Sequence, residues 1–318
     1  MNHLLARVVK KSHEAYNVVS LELTNARAKT LPSFSAGSHI EVHVGSGMTR
    51  QYSLCNDPNE QHRYVIGVLR DPASRGASAA LHERVEEGDL IQISEPKNRF
   101  PLVPAQRSIL FAGGIGITPI LCMAEALSRL GTPFELHYCA RSESHAAFRE
   151  HIAHAPFASN VHFHFDDGCW EQRLDAAAVL AGPDPGGEIF VCGPAGFISL
   201  ITSVAVASGW DRTKLHSEFF SAQPTDTSSD LPFDVKLAST GRIYRVPTGV
   251  SVTTALAAHG VCIPTSCENG VCGTCTTKIL EGTPAHRDYY LTSREKAKND
   301  RFTPCCSRAM GDSLLLDL

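Results

Sequence analysis

The chain has 318 residues, of which 43% are hydrophobic and 19% charged, and its formal net charge at pH 7 is −4. This length predicts two or three domains, the composition is that of a soluble globular protein, and the negative charge argues against a nucleic-acid partner. No apolar stretch is long enough to span a bilayer, and the N-terminus lacks the core of a signal peptide, so we expect a cytoplasmic protein.

Residues 1–103 are predicted to form an antiparallel β-barrel. Apolar and polar residues alternate over 19–23 and 40–44, and residues 64–69 are rich in strand-forming types. Gly, Pro and Asn residues separate these short segments. Short strands with this punctuation are typical of a closed barrel.

An Arg-x-Tyr-Ser string ends one of the barrel strands. Arg50 and Tyr52 project to the same face of a strand, and a guanidinium suits a phosphate, so the two could hold a phosphate and a ring while Ser53 offers polar groups. Residues 76–78 are predicted to start a helix with Ser78 near its cap, where free N–H groups suit an anion. Taken singly, these residues are ordinary surface or strand residues, but together they predict a flavin phosphate site.

Residues 104–222 are predicted to form an α/β domain around a parallel sheet, because apolar runs such as 109–111 alternate with helical segments such as 119–130. The run 109–111 leads into Gly-Gly-Ile-Gly-Ile-Thr-Pro, with Thr118 as the predicted helix cap and Pro119 in the first helical position. Glycines at such a turn let a pyrophosphate approach the helix N-terminus, although the string is not the standard dinucleotide fingerprint.

A second turn, Cys-Gly-Pro, follows the apolar run 189–191 at the predicted carboxyl edge of the sheet, where ligands bind. Cys192 is expected beside a nicotinamide ring, which Gly193 would let pass; the alternative is an ordinary core cysteine. Phe220, at the end of the domain, could cover a flavin ring until nicotinamide displaces it, or could belong to the core.

The adenosine half of a dinucleotide is expected near Arg141 and Ser142. Asp166 and Asp167 follow the next strand-like run and could contact the ribose. A carboxylate there favours NADH because it repels a 2′-phosphate, whereas Arg141 argues in the other direction.

Residues 223–232 are polar and aperiodic and are predicted to be a linker. Residues 233–318 then show two β-type stretches, a short helix and a cysteine loop. That order predicts a small β-grasp domain of the ferredoxin kind, with mixed α+β structure. The whole chain is therefore predicted to have three domains.

Cys267, Cys272 and Cys275 form a C-x4-C-x2-C string, and a pair of cysteines, Cys305 and Cys306, follows far downstream. This is the spacing with which plant-type ferredoxins hold a [2Fe–2S] cluster. The alternative is a structural zinc site, which usually has two knuckles of short spacing. Either downstream cysteine could supply the fourth thiolate on chemical grounds alone.

The order of these motifs over the whole chain resembles the family of phthalate dioxygenase and vanillate demethylase reductases, the reductase components of Rieske-type oxygenases. This resemblance implies a ferredoxin-reductase-like flavin and nucleotide core with a C-terminal ferredoxin domain, FMN rather than FAD, and Cys305 as the fourth cluster ligand. The FMN residues that it implies are Arg50, Tyr52, Ser53, Gly76, Ala77 and Ser78. The NADH residues that it implies are Gly114, Thr118, Cys192 and Gly193, with Phe220 stacked on the flavin.

A function follows from the resemblance and from electron counting. NADH delivers two electrons as a hydride and a [2Fe–2S] cluster accepts one, so a flavin must stand between them. The family implies that the electrons pass on to a Rieske-type oxygenase component, whose substrate is recognised in that other chain. It also leads us to expect a monomer.

Two other functions remain open from the sequence. The first is an FAD-dependent reductase of a separate ferredoxin or haem protein, which the flavin released on denaturation would reveal. The second is a non-enzymatic redox or metal-binding module, which predicts no oxidation of NADH with an artificial acceptor.

Overall fold

The computed structural model describes residues 3–45, 48–71, 76–220, 228 and 230–318. The chain divides into two compact units, Met1–Glu218 and Phe219–Leu318. Within the described ranges, no helix combines the length and apolar character needed to cross a membrane.

The first part of the first unit is an antiparallel sheet of seven strands in the order β4-β3-β6-β1-β2-β5, with β7 paired to β3. An isolated bridge between Leu54 and Ile66 joins the two ends of this order, so the sheet closes into a barrel. Its core is aliphatic around the fully buried Tyr64. The elements are β1 His3–Ala15, β2 Val18–Asn25, β3 Ser38–Val44, β4 Met48–Ser53, β5 Tyr64–Leu69, α1 Ala77–Glu83, β6 Leu90–Ser94 and β7 Lys97–Asn98.

The second part of the first unit contains a five-stranded sheet in the order β10-β9-β8-β11-β12. Strands β8 to β11 are mutually parallel. The strand order reverses between β8 and β11, and ligands bind parallel sheets at the carboxyl ends of the strands beside such a reversal. The elements are β8 Arg107–Gly113, α2 Ile117–Leu130, β9 Phe134–Ala140, α3 Arg149–His154, β10 Val161–Phe165, α4 Ala176–Val179, β11 Gly187–Gly193, α5 Ala195–Ala207 and β12 Leu215–Phe219.

The second unit is built on a five-stranded mixed sheet, β14-β13-β19-β15-β17, with a separate β16-β18 pair. The hairpin β13-β14 is antiparallel, β13 and β19 are parallel, and α6 packs against the core of this sheet, as expected of a β-grasp domain. The elements are β13 Phe233–Leu237, β14 Ile243–Val246, α6 Val252–Ala257, β15 Thr277–Glu281, β16 Pro284–Ala285, α7 Ser293–Lys298, β17 Arg301–Phe302, β18 Arg308–Ala309 and β19 Ser313–Leu316.

Most of the predicted linker, 223–232, lies outside the described residues, but Asp230 is described and is buried. Its carboxylate pairs with the guanidinium of Arg287 and lies 3.3 Å from Nε of Arg308. Residue 230 is thus part of the packed C-terminal unit rather than of a solvated linker, because two arginines compensate its buried charge.

Candidate functional site

Two glycine turns meet at the carboxyl ends of β8 and β11. A Cβ atom on Gly116 would lie 2.3 Å from the carbonyl oxygen of Cys192, and one on Gly193 would lie 3.0 Å from Cα of Gly113. Both turns therefore pack backbone against backbone, which only glycine permits. Gly114, with a φ of +54°, turns the chain between them. The strand reversal and the two predicted nucleotide motifs thus coincide.

Helix α2 begins earlier than predicted. Gly114–Gly116 form a 3-10 turn and Gly116 caps the helix, so Thr118 is its second residue and Pro119 its third. The prediction of Thr118 as the cap is therefore wrong, because Gly116, with helical φ and ψ angles, already occupies the cap position. Thr118 is buried and donates its hydroxyl to the carbonyl oxygen of Ile115 at 3.1 Å. Since its methyl group also abuts Gly67 of β5, this residue joins the barrel to the start of the helix.

The end of strand β4 carries the Arg-x-Tyr-Ser string. Arg50 pairs with Val42 and Tyr52 pairs with Ile40 across to β3, so both side chains lie on one face, as predicted for a strand. Arg50 donates a hydrogen bond to the carbonyl oxygen of Thr49 at 2.8 Å. Burial raises the pKa of Tyr52 to about 12, so its hydroxyl stays neutral at physiological pH.

Helix α1 begins where it was predicted to begin. Gly76, at a φ of +105°, caps the helix, and Ser78 is the second helical residue, near the cap as predicted. The Ser78 hydroxyl accepts a hydrogen bond from the N–H of Asp71 at 3.3 Å, and Ala77 packs into the barrel core. A Cβ on Gly76 would meet no atom within 4 Å, so its positive φ, rather than a close neighbour, favours glycine at this position.

Glu218 is a candidate site residue that the sequence reasoning missed. Ser53, at the end of β4, donates its hydroxyl to Oε2 of Glu218 at 3.4 Å, and the same carboxyl group acts electrostatically on the Cys192 thiol. Burial raises the pKa of Glu218 from its usual 4.5 to about 8, and burial followed by the nearby Glu218 raises the pKa of Cys192. The end of the barrel and the carboxyl edge of the sheet therefore meet at three polar side chains that are largely uncharged at pH 7.

This raised pKa makes the stability of the protein depend on pH. Between pH 4.5 and about 8 the folded chain binds a proton at Glu218 that the unfolded chain releases, so the free energy of unfolding should fall as the pH rises through this window. Thermal unfolding followed by circular dichroism should show this fall in the wild type and a flatter profile in Glu218→Gln. The exposed Glu150→Gln is the control, and equal slopes for the wild type and Glu218→Gln would contradict the assignment.

The residues predicted for the adenosine half lie together at the ends of β9 and β10. The N–H of Asp166 donates to the carbonyl oxygen of Ala140, and that of Asp167 donates to the carbonyl oxygen of Arg141, each at 3.1 Å. The Ser142 hydroxyl lies 2.6 Å from Nδ1 of His145. This group is on the side of β8 away from the Cys192 turn, as an extended dinucleotide would require.

Phe220 directly follows β12 and is half-buried at the beginning of the second unit. Its stacking on a flavin stays a prediction.

The cysteine loop lies in the second unit between α6 and β15. Gly270 and Gly273 have φ values of +73° and +71°, and Glu268 also adopts a positive φ of 57°. A Cβ on Gly273 would lie 2.0 Å from the Tyr290 ring, so glycine is required for this ring to cover the loop. These left-handed residues curl the chain tightly, as wrapping around a compact ligand requires.

The thiols of Cys267, Cys272, Cys275 and Cys305 form one group. The Cys267 thiol contacts those of Cys272 and Cys305, and the Cys275 thiol contacts that of Cys305. The N–H groups of Asn269 and Thr274 point at the sulfurs of Cys267 and Cys272 at 3.4 and 3.5 Å. The contacts with Cys272 and Cys305, aided by backbone N–H groups, lower the pKa of Cys267 to about 2. The same contacts raise the pKa values of Cys272 and Cys305, so Cys267 is the member of the group most readily held as a thiolate, the form that binds metals.

The spacing of the cysteines fits a two-iron cluster better than a zinc ion. Structural zinc sites usually have two knuckles of short spacing, whereas here three cysteines lie in one loop and the fourth lies far downstream. A [2Fe–2S] cluster needs only two thiolates at each iron.

Cys306, the alternative fourth ligand, is bonded differently. Its sulfur lies 3.3 Å from Oγ1 of Thr303 and 3.8 Å from Oγ of Ser307. Cys305 is instead buried and in contact with two of the loop thiols. The structure therefore gives Cys305 the better position to be the fourth ligand.

Comparison with known proteins gives a consistent result over the full chain. Residues 235–310 match the family of 2Fe-2S iron-sulfur cluster binding domains. The chain is 51% identical over 305 residues to vanillate O-demethylase oxidoreductase of Pseudomonas sp. (strain HR199 / DSM 7063), with 96% of each chain covered. It is 38% identical over 315 residues to the phthalate 4,5-dioxygenase oxygenase reductase subunit of Pseudomonas putida, covering 98% of this chain and 96% of the relative.

A solved structure agrees with these relatives. It is that of phthalate dioxygenase reductase, described as a modular structure for electron transfer from pyridine nucleotides to [2Fe–2S]. The two structures superpose with a TM-score of 0.78 at 36% sequence identity, covering 100% of this chain and 98% of the other.

Proposed function

The chain belongs to the family of oxygenase reductases that includes vanillate O-demethylase oxidoreductase and phthalate dioxygenase reductase, and from this premise we propose how its residues serve electron transfer. It takes a hydride from NADH onto FMN and passes single electrons through a [2Fe–2S] cluster to an oxygenase component. Membership of the family confirms the predicted resemblance, the multidomain fold class and the function of a flavin and iron–sulfur oxidoreductase.

The observation that carries the proposal is the meeting of Ser53, Glu218 and Cys192. It brings the end of a flavin-type barrel to the point where a parallel sheet reverses its strand order, so a flavin ring and a nicotinamide ring would face each other there. Bound FMN supplies the step between two-electron and one-electron transfer. The protein then has to orient the two rings and exclude water.

We assign the FMN site to the barrel end. Arg50 carries a planar cation suited to the phosphate, on the face that it shares with Tyr52. The start of α1 at Ala77 and Ser78 supplies helix N-terminal N–H groups suited to the phosphate. The Ser53 hydroxyl, held by the protonated Glu218, is positioned for the polar edge of the ring. The residues assigned are Arg50, Tyr52, Ser53, Gly76, Ala77 and Ser78.

Replacing Arg50 by alanine should release the flavin. A charge-assisted hydrogen bond contributes about 1.5–3 kcal/mol, so we expect FMN to bind roughly 10- to 100-fold more weakly and to be lost during purification. Absorbance at the flavin and cluster bands measures both cofactors. The cluster should remain, because Arg50 and the cysteine loop belong to different units.

The control for this variant is Arg27→Ala, which removes an exposed arginine in the turn after β2. It should retain its flavin. Full flavin occupancy in Arg50→Ala would refute the phosphate assignment.

We assign the NADH site to the carboxyl edge of the parallel sheet. The buried Cys192 thiol is held neutral by its raised pKa, so it orients the nicotinamide and does not act as a nucleophile or a base. Asp166 supplies a carboxylate for the ribose, which favours NADH over NADPH. The residues assigned are Gly114, Thr118, Arg141, Ser142, Asp166, Cys192 and Gly193, with Phe220 stacked on the flavin.

The four thiolates of Cys267, Cys272, Cys275 and Cys305 would hold the cluster. The N–H groups of Asn269 and Thr274 that point at two of these sulfurs stabilise their negative charge. Such bonds raise the potential of a cluster and so help it to accept electrons.

The partner is an oxygenase component, as in the relatives that are reductase subunits of oxygenase systems. We propose that it is of the Rieske type, that the reductase is a monomer and that both work in the cytoplasm. The negative net charge argues against a nucleic-acid partner.

The test of the electron route is an anaerobic visible spectrum before and after addition of NADH. The flavin and cluster bands should bleach together, and denaturation should release FMN. Bleaching of the flavin alone would contradict transfer to the cluster, and release of FAD would contradict FMN. A protein reconstituted with FMN, iron and sulfide that still fails to oxidise NADH would refute the function.

A further inference from the structure

Trp170 is a large apolar side chain that the proposed function leaves without a role. It is 78% exposed, whereas Trp210, the other tryptophan of the chain, is buried and donates its indole N–H to the carbonyl oxygen of Leu180 at 3.0 Å. Trp170 opens a 3-10 turn, Trp170–Gln172, that closely follows β10. Single exposed apolar side chains are common at protein surfaces, so a role for this indole depends on where it lies in the fold.

The loop that presents Trp170 is held at both ends. The His164 ring lies 3.1 Å from the carbonyl oxygen of Gln172, and the guanidinium of Arg173 donates to the carbonyl oxygen of Asp166 at 3.2 Å. The N–H of Gly168 donates to the carbonyl oxygen of Phe165. The backbone around the indole is thus fixed before any ligand arrives, which lowers the entropy lost on binding.

The distance from the nicotinamide turns to this loop is comparable to the length of an extended dinucleotide. The nicotinamide turns lie at the ends of β8 and β11, and Trp170 follows β10, two strands beyond β8. Neighbouring strands are about 4.8 Å apart, so roughly 10–14 Å separates the two ends of the site. The same loop contains Asp166, which is placed for the ribose. The next group outward on an extended dinucleotide is the adenine base.

We propose that the indole of Trp170 stacks on the adenine of NADH. The inference rests on the proposed function, since it requires that NADH binds along this edge of the sheet. Adenine is a flat, uncharged aromatic ring, and an exposed indole is suited to stacking on such a ring. Base–aromatic stacking is strong enough for removal of the ring to weaken binding by roughly tenfold or more.

The first experiment is a titration of the holoprotein with ADP-ribose, which carries the adenosine half and lacks the nicotinamide. Tryptophan fluorescence should be quenched in a saturable way in the wild type. In Trp170→Phe, whose remaining tryptophan is the buried Trp210, ADP-ribose should cause no quenching. Quenching that persists in Trp170→Phe, or none in the wild type, would overturn the proposal.

The second experiment is the kinetics of NADH oxidation with ferricyanide as acceptor. Trp170→Ala should raise the KM for NADH roughly tenfold and leave kcat unchanged, because the ring acts far from the hydride. Trp170→Phe should largely restore the KM. Leu200→Ala, which removes another exposed apolar side chain, is the matched control.

The two experiments also separate this inference from the proposed function. Normal NADH oxidation by the wild type, with an unchanged KM in Trp170→Ala, would refute the stacking proposal and leave the proposed reductase function standing. A wild-type holoprotein that does not oxidise NADH would sink both.

Discussion

Cys305→Ser should yield a protein that contains flavin but no native [2Fe–2S] spectrum, whereas Cys306→Ser should keep both. Cys305 is buried against the thiols of Cys267 and Cys275, while Cys306 is bonded to Thr303. Loss of an outer partner of a metal site costs about 10- to 100-fold, and loss of a ligand should cost more. Electron delivery to cytochrome c should therefore fall by at least about a hundredfold in Cys305→Ser.

The readouts for this pair of variants are visible absorbance, iron content and two activities. Reduction of ferricyanide, which can accept electrons from the flavin, should persist in both variants. Only reduction of cytochrome c through the cluster should be lost, and only in Cys305→Ser. The opposite pattern, with a native cluster in Cys305→Ser and none in Cys306→Ser, would move the fourth ligand to Cys306.

Gly116→Ala should disrupt the proposed nicotinamide site strongly, although it adds only one methyl group. The added methyl group would lie 2.3 Å from the carbonyl oxygen of Cys192 and 2.7 Å from the backbone nitrogen of Gly193. Backbone atoms of a buried strand cannot rotate away, so the two turns have to separate. Overpacking of this kind costs about 1–3 kcal/mol, and a shift of roughly 1 Å at a reacting centre can slow a reaction about a hundredfold.

Chemical denaturation and the kinetics of NADH oxidation measure these two effects. The matched control is Gly196→Ala in α5, where an added Cβ would meet no atom within 4 Å. Alanine is favoured over glycine in a helix by about 1 kcal/mol, so this control should be neutral or slightly stabilising. Wild-type kinetics in Gly116→Ala would show that the contact between the turns does not position the nicotinamide.

The repeating patterns of the sequence were enough to predict the sheets and the cysteine group. Alternation of apolar and polar residues predicted the barrel strands, and apolar runs predicted the parallel strands. The spacing of Cys267, Cys272 and Cys275 predicted the cluster site. Each of these signals is local, because a strand or a metal loop shows its period within a few residues. The placement of the Arg50 and Tyr52 side chains on one face of β4 follows from the two-residue period of a strand.

The features that were missed depend on contacts between distant residues. Glu218 gains its role from Ser53, which is 165 positions away in the chain, and no local pattern shows this contact. Asp230 looked like part of a solvated segment, because its arginine partners lie far downstream. The cap position predicted for Thr118 was misplaced because Gly116 already occupies it.

The carboxyl edge of the parallel sheet has two kinds of contact, one made at glycine turns and one made by loop side chains, and this difference has an evolutionary consequence. A Cβ on Gly116 would meet backbone atoms alone, and one on Gly193 would meet both the backbone of Gly113 and the ring of Phe197. Both positions therefore leave almost no room for a residue other than glycine. In the proposed site the loop after β10 would meet the nucleotide with side chains, and these can change one at a time. Substitutions in the Asp166–Trp170 loop could therefore change the preference for one nucleotide over another during evolution. The glycine turns that position the nicotinamide for hydride transfer would stay the same.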